Sequence, residues 1–250
     1  MSINIISHRG ANRIAPQNTM DAFKTSIKFQ VDGIETDIHM TKDGVPVICH
    51  NYTVNKTSNG KGDISALTLE ELRALDFGSY FHPSCRDTKI PTLDEFLELV
   101  KKSNLRIMNI EIKSPRDHDY SIVEKVVEAV KQHGLFDILL ISSFDPDVLI
   151  IAKEEDEGCK TGLLYSPNRR ISFEIQKDFV AFARKIGADA LHPHKIYVDR
   201  DYVLKAHEAG IQVNPWTVNR AKEIVKLAEL GVDGLITDVP NVAQRLTRDI

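Results

Sequence analysis

Glu35, Asp37 and His39 alternate along the segment Ile34-Glu35-Thr36-Asp37-Ile38-His39-Met40. In a strand, alternate side chains share a face, so these three point one way and Ile34, Ile38 and Met40 point the other. If helices cover the apolar face, as in a parallel barrel, the acids are aimed at the interior. A bare carboxylate there is costly unless it is paired or bound to metal. The competing reading is an antiparallel strand with its polar face in water. The pattern recurs in Met108-Asn109-Ile110-Glu111-Ile112-Lys113, where Asn109, Glu111 and Lys113 share a face. Glu35, Asp37 and Glu111 together make a hard-oxygen cage suited to Mg²⁺ or Ca²⁺ rather than zinc. The competing reading of Glu111 and Lys113 is an internal ion pair.

A third element is Ser7-His8-Arg9-Gly10. Arg9 offers a planar fork matched to phosphate, and Gly10 lets the backbone turn sharply. The tripeptide alone means little. At the end of a strand facing two acid-bearing strands, it puts His8 in the same mouth.

The elements that must position these residues alternate along the chain. Strand-like runs lie at 3–7, 33–40, 45–50, 106–113, 138–144, 160–165, 190–192, 212–216 and 234–237, with helical patterns at 18–29, 92–102, 119–133, 146–154, 173–186, 201–209 and 220–230. Such alternation implies parallel strands with helical crossovers. Only Thr41-Lys42-Asp43-Gly44 separates the second and third runs, too little for a crossover, so they form a hairpin. Its expected register puts 40 opposite 45, and therefore His50 opposite Glu35. The remaining runs give an α/β fold, a TIM (β/α)8 barrel with an extra hairpin strand and a small insertion after it. The expected organisation is one catalytic domain over 1–250 with an insertion subdomain at about 51–89, on the active-site end.

The bulk properties fit. A length of 250 residues suits one such barrel, and 42% apolar with 27% charged residues is an ordinary globular composition. A net charge of −4 suggests neither a nucleic-acid partner nor an electrostatic membrane anchor. No run approaches the roughly 18 apolar residues of a membrane-spanning helix, so no membrane insertion is expected. Cys49, Cys85 and Cys159 have no zinc or disulfide spacing and read as free thiols. With no signal peptide visible, the expected location is cytoplasmic.

Taken in order, His8-Arg9-Gly10, Pro16-Gln17-Asn18-Thr19, Glu35-Thr36-Asp37, His50, Glu111-Ile112-Lys113, Trp216-Thr217-Val218-Asn219 and Thr237-Asp238-Val239-Pro240 resemble the glycerophosphodiester phosphodiesterase family. The resemblance implies hydrolysis of glycerophosphodiesters, small-molecule substrates, to sn-glycerol 3-phosphate and an alcohol. It implies a divalent metal, Mg²⁺ or Ca²⁺, on Glu35, Asp37 and Glu111. His8 and His50 would be an acid–base pair, with phosphate held by Arg9 and Lys113, and Asn18 and Trp216 beside the substrate. Gln17 departs from the family's usual glutamate, and Asn51 from a frequent aspartate. Rival readings are a phospholipase D-like enzyme of lysophospholipids, an unrelated barrel enzyme such as an isomerase or aldolase, and a non-catalytic glycerophosphodiester-binding barrel. A homodimer is compatible with the sequence.

Overall fold

The alternation of apolar runs and amphipathic helices resolves into a barrel in the computed structural model, which describes residues 3–116, 118–167, 171–248 and 250. The strands are β1 (Asn4–His8), β2 (Gly33–Met40), β3 (Pro46–Ile48), β4 (Ile107–Ile112), β5 (Leu139–Ser143), β6 (Lys160–Tyr165), β7 (Ala190–Pro193), β8 (Gln212–Val213) and β9 (Gly234–Thr237). Their order is β8-β7-β6-β5-β4-β2-β1-β9, every neighbour parallel, with β3 antiparallel on β2. The remaining seam, between β8 and β9, is bridged by backbone bonds from Asp233 to Val213 (3.0 Å) and from Ile236 to Pro215 (3.1 Å). The result is the expected nearly closed barrel of parallel strands.

Helices α1 (Met20–Lys28), α2 (Leu69–Arg73), α3 (Leu93–Val100), α4 (Ser121–Gln132), α5 (Pro146–Glu155), α6 (Ile171–Lys177), α7 (Phe179–Lys185), α8 (Arg200–Glu208), α9 (Ala221–Glu229) and α10 (Pro240–Thr247) complete the chain. Several begin where the sequence supplies an acceptor for the free N–H groups of the first turn. Thr19 caps α1, Thr92 and Glu95 form a reciprocal box at α3, and Asp145 caps α5 ahead of Pro146. On β2 and β4 the outward residues Ile34, Ile38, Met108, Ile110 and Ile112 are fully buried, in one apolar cluster with Phe23, Phe96, Leu97 and Val123. That burial commits Glu35, Asp37, Asn109 and Glu111 to the inside.

Two helical features differ from the sequence reading. The single helix expected at 173–186 is two, because Asp178 stops one and caps the next through Ala181 N–H (2.9 Å). Helix α10 was not expected; its buried face is small, comprising Pro240, Ala243 and Thr247, and so leaves little periodic signal.

Between β3 and α3 the chain makes short 3₁₀ turns and α2. This stretch is not held by polar contacts alone. Val54, Ile64, Leu72 and Phe77 pack with Val47, Cys49 and Ile90 into a second apolar cluster. Among the described residues, no helix is long and apolar enough to cross a membrane.

Candidate active site

Parallel pairing sets the acids side by side. Asp37 lies opposite Glu111, and Glu35 opposite Asn109 and His8. One carboxylate oxygen from each of Glu35, Asp37 and Glu111 falls within 4.8 Å of the others, and all three residues are buried. Glu35 is level with His8, the last residue of β1, and Asp37 with Glu111 near the end of β4, so the acids lie toward the C-terminal side of the barrel, where barrels of this type carry their chemistry. A cavity of about 250 Å³ opens over them, lined by His8, Glu35, His50, Glu111, Lys113 and Trp216, with Arg9 also on its wall.

Two cations face the three acids. Lys113 Nζ pairs with Asp37 (2.6 Å) and with Glu111, and Arg9 Nε lies 3.4 Å from Asp37. One negative charge is therefore uncompensated, and the carboxyls respond. Burial, then Asp37 and Glu111, push Glu35 well above the usual carboxylate range. Burial also raises Glu111, against the pull of Lys113. For Asp37 burial acts the same way but is overcome by Lys113 and Arg9, which hold it well below that range. Lys113 is raised: burial opposes its charge, but Asp37 and Glu111 outweigh it. Three acids packed this tightly, with two of them pushed toward protonation, form an oxygen donor set that a divalent cation fits.

The loop after β1 delivers Arg9 in an unusual conformation. Its φ of 55° is left-handed, and Gly10 follows at 74°, where a Cβ would come 2.8 Å from the backbone of Ala22. That turn points Arg9 N–H at Glu35 (2.9 Å) and lets Arg9 Nη1 donate to Gln17 Oε1 (2.6 Å). The amide at 17 thus still fixes the guanidinium. Asn18 is buried behind the site: its Nδ2 donates to Asp37 (2.7 Å) and its Oδ1 accepts from Thr36 (2.9 Å). Trp216 Nε1 donates to the His192 carbonyl (2.8 Å), and its ring meets Phe144 edge-on at 5.5 Å.

The two histidines arrive differently. His8 ends β1, and its Nδ1 lies 2.6 Å from Asp238. A carboxylate only accepts, so Nδ1 carries the proton and Nε2, 4.0 Å from Glu35, faces the site with a lone pair. Burial lowers the His8 pKa, while Asp238 opposes the shift. His50 Nδ1 contacts Asn51 Oδ1 at 3.1 Å, and burial, partly opposed by Asp37, drives its pKa down to about 3.

The hairpin register corrects one expectation. Met40 pairs with Pro46, His39 with Val47 and Ile38 with Ile48. His50 is therefore not opposite Glu35. The turn is one residue longer than expected, because Val45 N–H is taken by the Thr41 hydroxyl (2.8 Å) and Gly44 turns at a φ of 76°. His50 reaches the cavity from beyond the paired part of β3. His39, on the face of the acids, lies near Tyr52 (ring centroids 4.9 Å apart) and lines another cavity.

Asp238 was not singled out as a site residue from the sequence. Asn12 (2.7 Å) and Asn219 (2.7 Å) both donate to it and hold it against His8. Its signal was an acid just after the last barrel strand. Among the described residues, His192 and His194 belong to no cluster of three or more side chains that could hold a metal. His192 Nε2 meets Asn214 inside the barrel, and His194 Nδ1 accepts from Ile196 N–H.

Residues 8–242 match the sequence model of the Glycerophosphoryl diester phosphodiesterase family. A glycerophosphodiester phosphodiesterase of Caldanaerobacter subterraneus subsp. tengcongensis is 35% identical, with 99% of each chain covered. One of Bacillus altitudinis is 31% identical, with 98% of each covered. Among solved structures, an Oleispira antarctica phosphodiesterase in complex with the product sn-glycerol-3-phosphate superposes with a TM-score of 0.91 at 28% identity, covering 99% of this chain and 98% of that one.

Proposed function

Because the chain belongs to the glycerophosphoryl diester phosphodiesterase family and is thereby a phosphoric diester hydrolase, we propose that it hydrolyses glycerophosphodiesters to sn-glycerol 3-phosphate and an alcohol. The reaction depends on a divalent ion, Mg²⁺ or Ca²⁺, and on His8 and His50 as a proton-transferring pair. The whole chain acts as one catalytic unit, with 51–89 as an insertion at its mouth.

The observation that carries this reading is the convergence of Glu35, Asp37 and Glu111 oxygens within 4.8 Å beneath a cavity that both histidines line. When bound on these oxygens, the ion supplies positive charge to phosphoryl oxygens on which the transition state gathers negative charge. Arg9 adds a fork held by Gln17, and Lys113 offers the one N–H not used on Asp37 and Glu111. Asn18 acts through Asp37, which it orients. The Nε2 of each histidine faces the substrate: one, neutral, takes a proton from the nucleophile, and the other, as an imidazolium protonated on both nitrogens, gives its Nε2 proton to the leaving alkoxide. Asp238 keeps the His8 proton on Nδ1, and Asn51 does the same for His50 without a charge. Trp216 and Phe144 form a wall against the alcohol or glycerol part.

The deciding experiment follows glycerol 3-phosphate release from glycerophosphocholine and glycerophosphoethanolamine. EDTA should stop it, and Mg²⁺ or Ca²⁺ should restore it. Glu35→Ala should weaken metal binding by about a hundredfold or more, since even residues behind the ligands are worth 10- to 100-fold. Release indifferent to EDTA would remove the metal from the mechanism, and unchanged metal affinity would remove Glu35 from the ligands.

A further inference from the structure

Most buried polar groups find a partner, and each exception calls for a reason. Among the described residues, both amide atoms of Asn109 and the hydroxyl of Ser142 are buried without a hydrogen-bond partner. Asn109 is 1% exposed and Ser142 0%. Neither is hidden in packing: both line the cavity that holds His8, Glu35 and His50. The pairing fixes where they point. Asn109 lies opposite Glu35, and Ser142 opposite Glu111, so both side chains share the inner face with the acids. Because they face the cavity and not the packed core, their donors and acceptors are open to a ligand.

We propose that Asn109 and Ser142 are specificity-determining residues that bind the free hydroxyl groups of the glycerol moiety. This rests on the phosphodiesterase reading above. The chemistry of the pair matches the glycerol hydroxyls better than the charged parts of the substrate. Neither residue is charged, so neither competes with Arg9 and Lys113 for phosphate or attracts a cationic head group. A carboxamide and a hydroxyl both donate and accept, as do the two neighbouring hydroxyls of a glycerol esterified at one end. Leu164 and Ile236, on the same cavity wall, offer apolar contact to the carbon chain between them. A site built around hydroxyl groups rejects an analogue lacking them, because its own buried polar atoms are then left unpaired.

The test compares two substrates of one machinery. Asn109→Leu and Ser142→Ala are assayed, with saturating Mg²⁺, on glycerophosphocholine and on bis(p-nitrophenyl) phosphate, a diester without a glycerol. Each variant should lose about ten- to a hundredfold in kcat/KM on glycerophosphocholine. Each should stay within about threefold of wild type on the aryl diester, since no transition-state contact is removed there. Their Tm should stay close to wild type, because both side chains face the cavity and not the packed core. An equal fall on both substrates, or a drop in Tm with no substrate preference, would overturn the proposal and make the pair part of the fold or the metal site. A wild-type chain inert toward both diesters with every metal would instead sink the phosphodiesterase reading on which the proposal rests.

Discussion

The two corners of the cavity hold the same side chain in different ways. At one corner His8 is part of β1, paired to β2 on one side and β9 on the other, and backed by the Asp238 carboxylate. At the other, His50 lies beyond the paired residues of β3 and is backed by the neutral Asn51. What anchors it is its neighbour, Cys49. That residue donates its N–H to the Asp37 carbonyl (3.0 Å) and packs into the insertion's apolar cluster. The His8 corner thus rests on barrel strands, whereas the residue before His50 packs against Val54, Ile64, Leu72 and Phe77. A barrel mouth can take one group from its rigid wall and another from a loop, provided the loop has a core of its own.

The largest expected effect asks whether the corners are equal partners. His8→Ala and His50→Ala should each lower kcat by about 10² to 10⁴, the usual worth of a general acid or base, with metal affinity unchanged. Near-wild-type turnover in either would break the pair. Next comes Leu72→Ala, at a fully buried position of the insertion cluster. It should reduce stability by about 2 to 5 kcal/mol in urea unfolding, with the loss concentrated in the insertion. Its rate defect should resemble a mild His50 change. Should substrate turnover stay intact while hydrogen exchange reports an open insertion, the dependence of His50 on that segment would be refuted.

Exchanging the two partners sharpens the contrast further. Asp238→Asn removes the charge that supports protonated His8, so the pH–rate limb that His8 controls should move to lower pH. Asn51→Asp adds such a charge, so the limb of His50 should move upward. Each shift should be about one unit or more, as expected for a nearby opposite charge. Shifts in the same direction would contradict the assigned environments.

The smallest effect concerns His192, which lies away from both corners and serves as a control. It is buried and neutral, and burial alone takes its pKa from 6.5 down to about 3. Below pH 6.5 the unfolded chain binds a proton that the native chain refuses. Stability should therefore fall as pH drops through that window, by at most about 1.4 kcal/mol per pH unit for this group. His39, lowered to about 4, adds to the slope in the same direction. Thermal melts from pH 7 to pH 4 should be flatter for His192→Asn than for wild type, and identical slopes would exclude His192 as the source.

Local periodicity is enough to recover much of this molecule. Alternation in 33–40 and 106–113 placed Glu35, Asp37 and Glu111 on inner faces, because a two-residue period with one apolar side has a single way to bury that side. The barrel followed from strands separated by helices, and the hairpin from a four-residue gap. His8, Arg9, Lys113 and Trp216 fell at strand ends, and strand ends define the mouth. What periodicity could not supply was the effect of single side-chain bonds and anything set by distance in the chain. The hairpin register turned on one side-chain bond from Thr41, which displaced His50 by a residue. Asp238 meets His8 across 230 positions, and the split between α6 and α7 turned on the cap at Asp178. The insertion's apolar cluster joins Val47 to Ile90, residues that look isolated in sequence. The unpartnered Asn109 and Ser142 are also invisible there, because whether a polar group has a partner depends on every strand around it. The sequence by itself determined which residues face inward, through the steric periods of strand and helix. Only the tertiary structure decided which of them meet, because that depends on register and closure.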